Sequence, residues 1–452
     1  MKNNILTYKK LKKYSRDFNK TRSNKVLKNI NTKGEFKDLI LKSDYIQNKK
    51  NKFKNFVNIK TKISNQNNSG RCWIFAFLNV IRYPMIKKYN LPEDFEFSQT
   101  FLYFYDKLEK ANYFFNYIYD NRGDIDIQKK MFNYKIKDVK HIFFIDHLTN
   151  DGGQWNMFVN LIEKYGIIPK SNMNDQYHSK NSDELNNFFN KFLNYSIKII
   201  KTSKKNKKET LDFLLNKCYK ILVIFLGEPP NKITWEYYTD KKNKYKTITD
   251  ITPIDFYKKI VPFNCKNKVC LINYPCKNIP FYKIYNQEFA YNIMNDKETN
   301  FINLPINIIK NIIKKSLDNN EPMWCGSDID KYNSRQHGIL DKKAFNYKDI
   351  FNIEYDMTKC EEISYRATSP NHAMVIKGYN LKQGKTHGYL IENSWGEDTG
   401  DKGNYYMSEE WLDNYLFEVV VDKKYLSKDI LKILDKKPIL LPYWSIFGSL
   451  LV

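Results

Sequence analysis

The sequence has little arginine, glycine or proline. Only seven of its 75 Lys and Arg residues are arginines, and its 452 residues include 16 glycines and 14 prolines. Because recognition of phosphates and bases favours the planar guanidinium, the formal net charge of +25 is expected to be largely compositional background. A basic nucleic-acid-binding protein is kept as an alternative interpretation of that charge.

Long apolar runs are also missing. Residues 1–20 are basic but have no apolar segment of the roughly 7–15 residues that a signal peptide contains. No uncharged apolar window approaches the roughly 18 residues of a membrane-spanning helix, and the best window, 221–227, is predicted to be a buried strand. We therefore expect a cytoplasmic protein without membrane contact.

The cysteine pattern does not indicate a disulfide-bonded or metal-binding fold. Seven cysteines are an odd number in a chain of this length, which argues against a disulfide framework and favours a reducing compartment. Cys265, Cys270 and Cys276 lie close together, but their spacings match no zinc pattern, and incidental thiols are the better interpretation. No metal or other cofactor is predicted.

The hydrophobic fraction of 42% is sufficient for a large core, and the apolar patterns predict an α+β protein. Helical patterns precede the strand patterns along most of the chain. The predicted helices lie at 72–83, 98–115, within 171–218 and at 305–317, and the predicted strands lie at 373–379, 387–392 and 417–422.

The segment NQNNSGRCWIFA, residues 65–76, places Cys72 at the start of a buried helix behind a glycine-containing loop. The positive end of the helix dipole is expected to lower the pKa of this thiol and to stabilise its thiolate. Taken alone, a small buried core cysteine is the more common interpretation.

Two later segments change that interpretation. His372 begins a predicted strand in NHAMVIKGY, and Asn393 follows another strand in IENSWG, 21 residues further on. A cysteine, a histidine and an asparagine supply a nucleophile, a base and a group that orients the base.

These segments resemble the bleomycin hydrolase and aminopeptidase C family of papain-like cysteine peptidases. The run SGRCWIF carries the strongest likeness, and the similarity extends over nearly the whole chain. Further matching segments are FSQTFLYFYD at 97–106, DGGQWNMFVNLIEKYGIIPK at 151–170, ITPIDFY at 251–257, VCLINY at 269–274 and ILDKKPILLPYW at 433–444.

The resemblance implies a role for each site residue. Cys72 is the expected nucleophile, His372 the general base and acid, Asn393 the residue that orients the imidazole, and Gln66 the side-chain oxyanion donor. A thiolate and imidazolium ion pair is expected at neutral pH. Trp395 is expected to shield the His372–Asn393 hydrogen bond, although ordinary core packing explains it equally well.

The resemblance also implies an organisation of the chain around a papain-like core. That core combines a helical lobe with a β-barrel-like lobe, and it carries a helical insertion and an N-terminal arm. The expected divisions are 1–55 for the arm with its oligomer contacts, 56–170 for the helical lobe with the nucleophile, 171–220 for the insertion, 221–440 for the rest of the core with His372 and Asn393, and 441–452 for a C-terminal tail in the cleft.

The tail determines the predicted specificity. In the family the last residues occupy the cleft, so that the terminal carboxylate meets the free α-amine of the substrate. That carboxylate belongs here to Val452, or to Leu451 if one residue is trimmed. Ser445 and Ile446 replace an Asp and a Pro of the family pattern, whereas Gly448 is kept.

The expected function is therefore a cytoplasmic cysteine aminopeptidase of broad specificity that acts on peptides. The family implies a homohexamer with contacts from the N-terminal arm, and weak nucleic-acid binding is left open by the charge. Two alternatives remain. One is a papain-like endopeptidase with an open cleft, and the other is a basic nucleic-acid-binding protein with secondary peptidase activity.

Overall fold

The computed structural model describes residues 5–32, 35–49, 52–125, 136–147, 149–239, 244–294 and 300–451. Its helices and its large mixed sheet confirm the predicted α+β class. The helices are α1 Tyr8–Lys20, α2 Arg22–Ile30, α3 Phe36–Leu39, α4 Ser43–Asn48, α5 Cys72–Tyr89, α6 Gln99–Asp120, α7 Ile136–His147, α8 Trp155–Tyr165, α9 Tyr177–Lys180, α10 Asp183–Thr202, α11 Lys207–Leu226, α12 Pro253–Asp255, α13 Ile306–Asp318, α14 Tyr347–Phe351, α15 Lys359–Ser364, α16 Glu409–Tyr415 and α17 Lys428–Leu431.

The strands are β1 Asn55–Phe56, β2 Ile233–Thr239, β3 Lys244–Ile251, β4 Lys268–Ile272, β5 Lys283–Gln287, β6 Asn300–Asn303, β7 Met323–Ser327, β8 Asn333–Ser334, β9 Ile339–Leu340, β10 His372–Lys382, β11 Lys385–Glu392, β12 Asn404–Ser408, β13 Leu416–Asp422 and β14 Ile439–Leu441. Within the described ranges, twelve of them form one sheet in the order β14-β5-β6-β4-β13-β7-β10-β11-β12-β9-β8, with β1 paired to β10. β2 and β3 form a separate hairpin.

Helix α5 is the central helix of the core and packs against β7 and β10. It is apolar on all sides, as expected for a helix surrounded by protein. The ring of Phe77 stacks on that of Trp324 of β7 with centroids 5.2 Å apart. The helix continues through Pro84 to Tyr89, beyond the predicted end at residue 83, and it stops where Asn90 adopts a left-handed conformation with φ of 54°.

The helical insertion consists mainly of α10 and α11, which pack against α6. The prediction of a strand at 221–227 is wrong, because α11 extends to Leu226. The buried positions Leu214, Cys218, Leu222 and Leu226 recur every four residues, which is the spacing of one helix face. A short apolar run does not distinguish a buried strand from the last turns of a buried helix.

The described residues fall into two compact units. One contains residues of 1–50 together with 341–356, and the other contains residues of 51–340 and 357–452. In the first unit, the ring of Phe36 packs against Phe351 with centroids 5.6 Å apart, and the amide of Lys42 donates to the Ala344 carbonyl at 2.9 Å. The segment 1–50 is thus joined by a segment more than 290 residues later in the chain.

The cysteine prediction needs one correction. Cys276 and Cys360 are paired as a disulfide, whereas the other five cysteines are free and buried. The two partners are 84 residues apart in sequence, so local spacing gave no signal for their contact. Among the described residues, no helix has both the length and the apolar character needed to cross a bilayer.

Candidate active site

Cys72 is the first residue of α5, and its side chain is buried with 7% exposure. The loop before it is fixed by polar contacts. The Gly70 amide donates to Asp151 Oδ2 at 3.2 Å, and the Arg71 guanidinium forms a buried ion pair with Asp175 at 3.2 Å. The nucleophile candidate therefore lies where the backbone changes from a fixed loop to a helix terminus, as the sequence predicted.

His372 and Asn393 lie on adjacent strands of the large sheet. His372 begins β10, and Asn393 directly follows β11, which pairs with β10. His372 Nε2 and Asn393 Oδ1 are 2.8 Å apart. Because Nε2 is engaged by the amide oxygen, Nδ1 is the ring nitrogen that remains for the thiol.

The rings of Trp395 and His372 lie together, with centroids 4.8 Å apart and an interplanar angle of 34°. The guanidinium of Arg335 lies 4.5 Å from the centre of the Trp395 ring. The indole therefore contacts both a cation and the imidazole. This position is consistent with the predicted shielding role.

Gln66 is joined to the segment that carries Asn393. The backbone amide of Gln66 donates to the Ser394 carbonyl at 2.8 Å, and Ser394 Oγ donates to the side-chain oxygen Oε1 of Gln66 at 2.6 Å. Gln66 Nε2 donates one hydrogen to the Ser69 carbonyl at 2.7 Å. An amide nitrogen carries two hydrogens, so one remains for an oxyanion in the cleft that Gln66 lines with Cys72 and His372.

Burial opposes isolated charges in this site. It raises the pKa of the Cys72 thiol to about 11, and it lowers the pKa of His372 to about 4 against the effect of the Asn393 hydrogen bond. The predicted lowering of the thiol pKa by the helix terminus is therefore outweighed by desolvation. Transfer of the proton from the thiol to the imidazole leaves the net charge of the site unchanged, so that a charged pair is penalised less than either charge alone.

Cys72, His372 and Gln66 face one cleft of about 700 Å³. Its walls are mostly polar. One wall is the segment 150–152, and another is the start of α10, where Asp183 and Asn186 line the cleft. No role was predicted for these positions from the sequence, although 151–170 is among the segments that resemble the family.

Two buried lysines of α6 hold the wall at 149–152. Lys107 Nζ donates to the Thr149 carbonyl at 2.6 Å and lies 2.8 Å from Asp151 Oδ1. Lys110 Nζ donates to the carbonyls of Asn150 and Gly152 at 2.8 and 2.7 Å. Burial alone would raise the pKa of Asp151, but Lys107 holds it well below its usual range. The main chain of this wall is therefore held in place by two lysine ammonium groups.

A second buried ionic cluster supports Asn393. Its neighbour Glu392 is fully buried and pairs with Arg82 of α5 at 2.7 Å and with Lys377 of β10 at 3.1 Å. Burial would raise the pKa of Glu392, but the two cations lower it. The cluster joins the helix that begins at Cys72 to β10, which begins at His372, and to β11, which Asn393 follows.

The C-terminal tail reaches the same cleft. Ser449 and Leu450, in a 3₁₀ helix at Ile446–Leu451, line the cleft with Cys72. Four main-chain carbonyls of the tail accept hydrogen bonds from side chains elsewhere in the chain. Gln287 Nε2 donates to Tyr443 at 3.3 Å and to Ser445 at 3.4 Å, Arg366 Nη2 donates to Trp444 at 3.1 Å, and Gln154 Nε2 donates to Phe447 at 2.8 Å.

The predicted site residues thus converge, with one exception. Cys72, His372 and Gln66 line one cleft, and Asn393 and Trp395 contact the imidazole of His372. Val452 lies outside the described residues, so the predicted position of its carboxylate remains a prediction. No group of three or more His, Cys, Asp or Glu side chains in the described part of the chain is arranged to hold a metal ion.

Replacing Gln66 with alanine is expected to lower kcat by roughly 10²- to 10³-fold, because one side-chain oxyanion donor would be lost. The measurement is the steady-state hydrolysis of an aminoacyl-arylamide. Gln66 also accepts from Ser394 Oγ, so Ser394→Ala is the matched control. It removes that hydrogen bond but keeps the amide, and it is expected to change kcat by less than about tenfold. Equal losses in both variants would exclude the oxyanion role.

Comparison with known proteins identifies the relatives of this chain. A family model described as the Peptidase C1-like family matches residues 5–448. The chain is 36% identical to bleomycin hydrolase of Gallus gallus over 400 residues, which is 86% of each protein. It is 36% identical to aminopeptidase C of Listeria monocytogenes serovar 1/2a (strain ATCC BAA-679 / EGD-e) over 392 residues, again 86% of each. The crystal structure of PepW from Lactobacillus rhamnosis HN001 (DR20) has a TM-score of 0.91 at 32% identity, and the match covers 98% of this chain and 99% of that one.

Proposed function

We propose, from the premise that this chain belongs to the Peptidase C1-like family, that it releases N-terminal residues from peptides as a cysteine aminopeptidase of broad specificity. The observation that carries the proposal is the convergence of Cys72, His372 and the C-terminal tail on one cleft. The names of the bleomycin hydrolase and aminopeptidase C relatives support the same class of reaction.

In the proposed reaction, Cys72 is the nucleophile and His372 is the base. The thiol proton passes to His372 Nδ1 as sulfur attacks the carbonyl carbon of the first peptide bond. The hydrogen bond between Nε2 and Asn393 keeps the ring in the orientation that presents Nδ1. Because burial disfavours a lone charge on either group, we expect thiolate and imidazolium to form together as a pair.

The oxyanion of the tetrahedral intermediate is held by the Cys72 backbone amide and by the free hydrogen of the Gln66 amide. His372 then gives its proton to the leaving amine, and the C–N bond breaks to leave an acyl-enzyme. A water molecule, deprotonated by His372, attacks the thioester, and the amino acid is released as the thiol is restored. Atoms and charges balance without a cofactor.

The tail provides the proposed preference for N-terminal residues. Ser449 and Leu450 line the cleft together with Cys72, and the proposal is that they limit the number of residues that can bind before the scissile bond. The terminal carboxylate, on Val452 or on Leu451 after trimming, is proposed to bind the α-amine of the substrate. The ammonium group of a free N-terminus can pair with this carboxylate, whereas an acylated amine carries no charge and cannot pair with it.

The test is a comparison of one aminoacyl-arylamide with its N-acetylated form. We expect rapid hydrolysis of the free amine and a kcat/KM at least about 30-fold lower for the acetylated substrate, because acetylation removes the charge that the terminal carboxylate is proposed to bind. Equal hydrolysis of the two substrates would favour the alternative endopeptidase with an open cleft.

We further propose a cytoplasmic homohexamer whose contacts include the N-terminal segment. In support, α1 exposes Tyr8, Leu11, Tyr14 and Phe18, whose spacing places them along one side of the helix. Deletion of residues 1–50 is expected to disrupt the hexamer, so that sedimentation velocity would detect smaller assemblies. A hexamer that persists in the deletion variant would exclude this role.

Cell fractionation tests the proposed cytoplasmic location. Binding of single-stranded DNA, measured as a function of salt concentration, tests the weak nucleic-acid affinity left open by the net charge.

A further inference from the structure

The C-terminal tail is linked to a buried carboxyl group that has no cation beside it among the described residues. Glu418 of β13 is fully buried. Its Oε1 accepts a hydrogen bond from Gln154 Nε2 at 3.3 Å, whereas Oε2 has no hydrogen-bond partner within the described residues. A carboxylate with a single long hydrogen bond is poorly solvated, so the neutral acid is the form that this site favours.

The same amide nitrogen holds the tail. Gln154 Nε2 also donates to the Phe447 carbonyl at 2.8 Å, and Gln154 and Phe447 are fully buried. The ring of Phe447 packs against Tyr274 and Phe301 with centroid distances of 5.1 and 5.8 Å. One side chain, Gln154, therefore links the seated tail directly to Glu418.

Glu418 is enclosed by the neighbouring strands of the sheet and has no exposed surface. Gly326 of β7 lies opposite Glu418 in the sheet. A Cβ on Gly326 would lie 3.4 Å from the Glu418 Cβ and 3.0 Å from Leu450 Cδ1, so Glu418 and Leu450 of the tail both pack close to Gly326. Cys270 of β4 is the titratable group that faces Glu418 among the described residues, and burial raises the pKa of its thiol well above the usual value.

We propose that Gln154 and Glu418 form a seat that holds the C-terminal tail in the cleft while Glu418 is protonated and releases the tail when Glu418 ionises. Gln154 and Glu418 are positioning residues, since they act on the substrate through the tail. The inference rests on the proposed function, in which the seated tail excludes N-blocked peptides.

The direction of the pH dependence follows from linkage. Burial raises the pKa of Glu418 to about 8 with the tail seated. When the tail lifts, water reaches the carboxyl group and its pKa falls toward the ordinary value of about 4.3. The seated form binds the proton more tightly, so it is favoured at low pH. The equilibrium constant for seating the tail falls by up to about tenfold per pH unit as the pH rises toward 8. Above pH 8 it falls no further.

The experiment measures kcat/KM for an N-acetylated peptide between pH 5 and 9. Each value is divided by that of the chain lacking residues 448–452, so that titration of Cys72 and His372 cancels. For the wild-type chain we expect the ratio to rise with pH and to level near pH 8. Glu418→Gln keeps the shape but cannot ionise, and its ratio is expected to stay low and flat. Glu236→Gln, at an exposed carboxyl group of β2, is the control that keeps the wild-type profile.

Gln154→Leu removes the hydrogen bond to Phe447 and is expected to raise the ratio about three- to tenfold at pH 6. If the kcat/KM ratio of Glu418→Gln depends on pH as in the wild-type chain, or if the ratio of Gln154→Leu is unchanged, the proposed seat is wrong. If removal of residues 448–452 brings no hydrolysis of the blocked peptide, the proposed function of the tail fails as well. The two failures are therefore distinguishable.

A second measurement on the unmodified chain covers the case in which a variant does not fold. Hydrogen exchange of the amides of residues 446–451 is compared, at each pH, with that of a free peptide of residues 441–452. Protection is expected to fall from pH 5 to pH 8 and then to stay constant. Protection that does not change over this range would contradict the proposal.

Discussion

Replacement of Cys72 with alanine is expected to lower the hydrolysis of aminoacyl-arylamides by roughly 10⁴- to 10⁶-fold, because the variant has no atom that can form the acyl-enzyme. The measurement is kcat/KM with a chromogenic arylamide at pH 7. Loss of a sulfur at a site with 7% exposure is a small change in volume, and we expect the variant to fold and to keep its thermal transition.

The matched control is Cys218→Ala. Cys218 is a fully buried thiol of α11, within the helical insertion rather than at the cleft. This variant is expected to keep wild-type activity within about threefold. If Cys72→Ala retained activity, or if both alanine variants lost it equally, the assignment of Cys72 as nucleophile would be wrong.

Removal of residues 448–452 is expected to convert the enzyme from an aminopeptidase to an endopeptidase. Ser449 and Leu450 would leave the cleft, and the space before the scissile bond would accept an acylated chain. Loss of the terminal carboxylate is expected to lower kcat/KM for free-amine substrates by roughly 30-fold or more, because the substrate ammonium would lose its proposed charge partner. Hydrolysis of an N-acetylated peptide is expected to become readily measurable.

The control for this truncation is removal of Val452 alone. Mass spectrometry of the purified chain shows whether that residue is present. If the chain is trimmed, the control is identical to the mature enzyme, and if it is not, the control moves the carboxylate by one residue while Ser449 and Leu450 stay in place. A strict requirement for a free α-amine after loss of all five residues would contradict the proposed role of the tail.

A chemistry for this site could be proposed from the sequence because it depends on residue types at element ends. A cysteine before an unbroken apolar run and a histidine and an asparagine near strand ends suggested a nucleophile, a base and an orienting group. The resemblance to the family is confirmed by the match over residues 5–448. The structure adds the hydrogen bond of 2.8 Å between His372 and Asn393, which gives a physical basis for the orienting role.

What the sequence did not reveal depends on contacts between distant segments. The interaction of Gln154 with Glu418 joins positions 264 residues apart, and the pair Cys276–Cys360 joins positions 84 residues apart. No local pattern encodes either contact. The direction of the Cys72 pKa shift failed for a related reason, because the helix terminus is visible in the sequence whereas the elements that bury the thiol are not.

Besides the packing of the Phe447 ring, the tail is held through its main chain, at the carbonyls of residues 443, 444, 445 and 447. Every residue type supplies the same carbonyl, so such contacts do not discriminate among tail sequences. At positions 444 and 445, residue type is then expected to matter less than the length of the tail. Substitutions at these two positions should therefore preserve the aminopeptidase specificity, whereas insertion of several residues before Phe447 should abolish it.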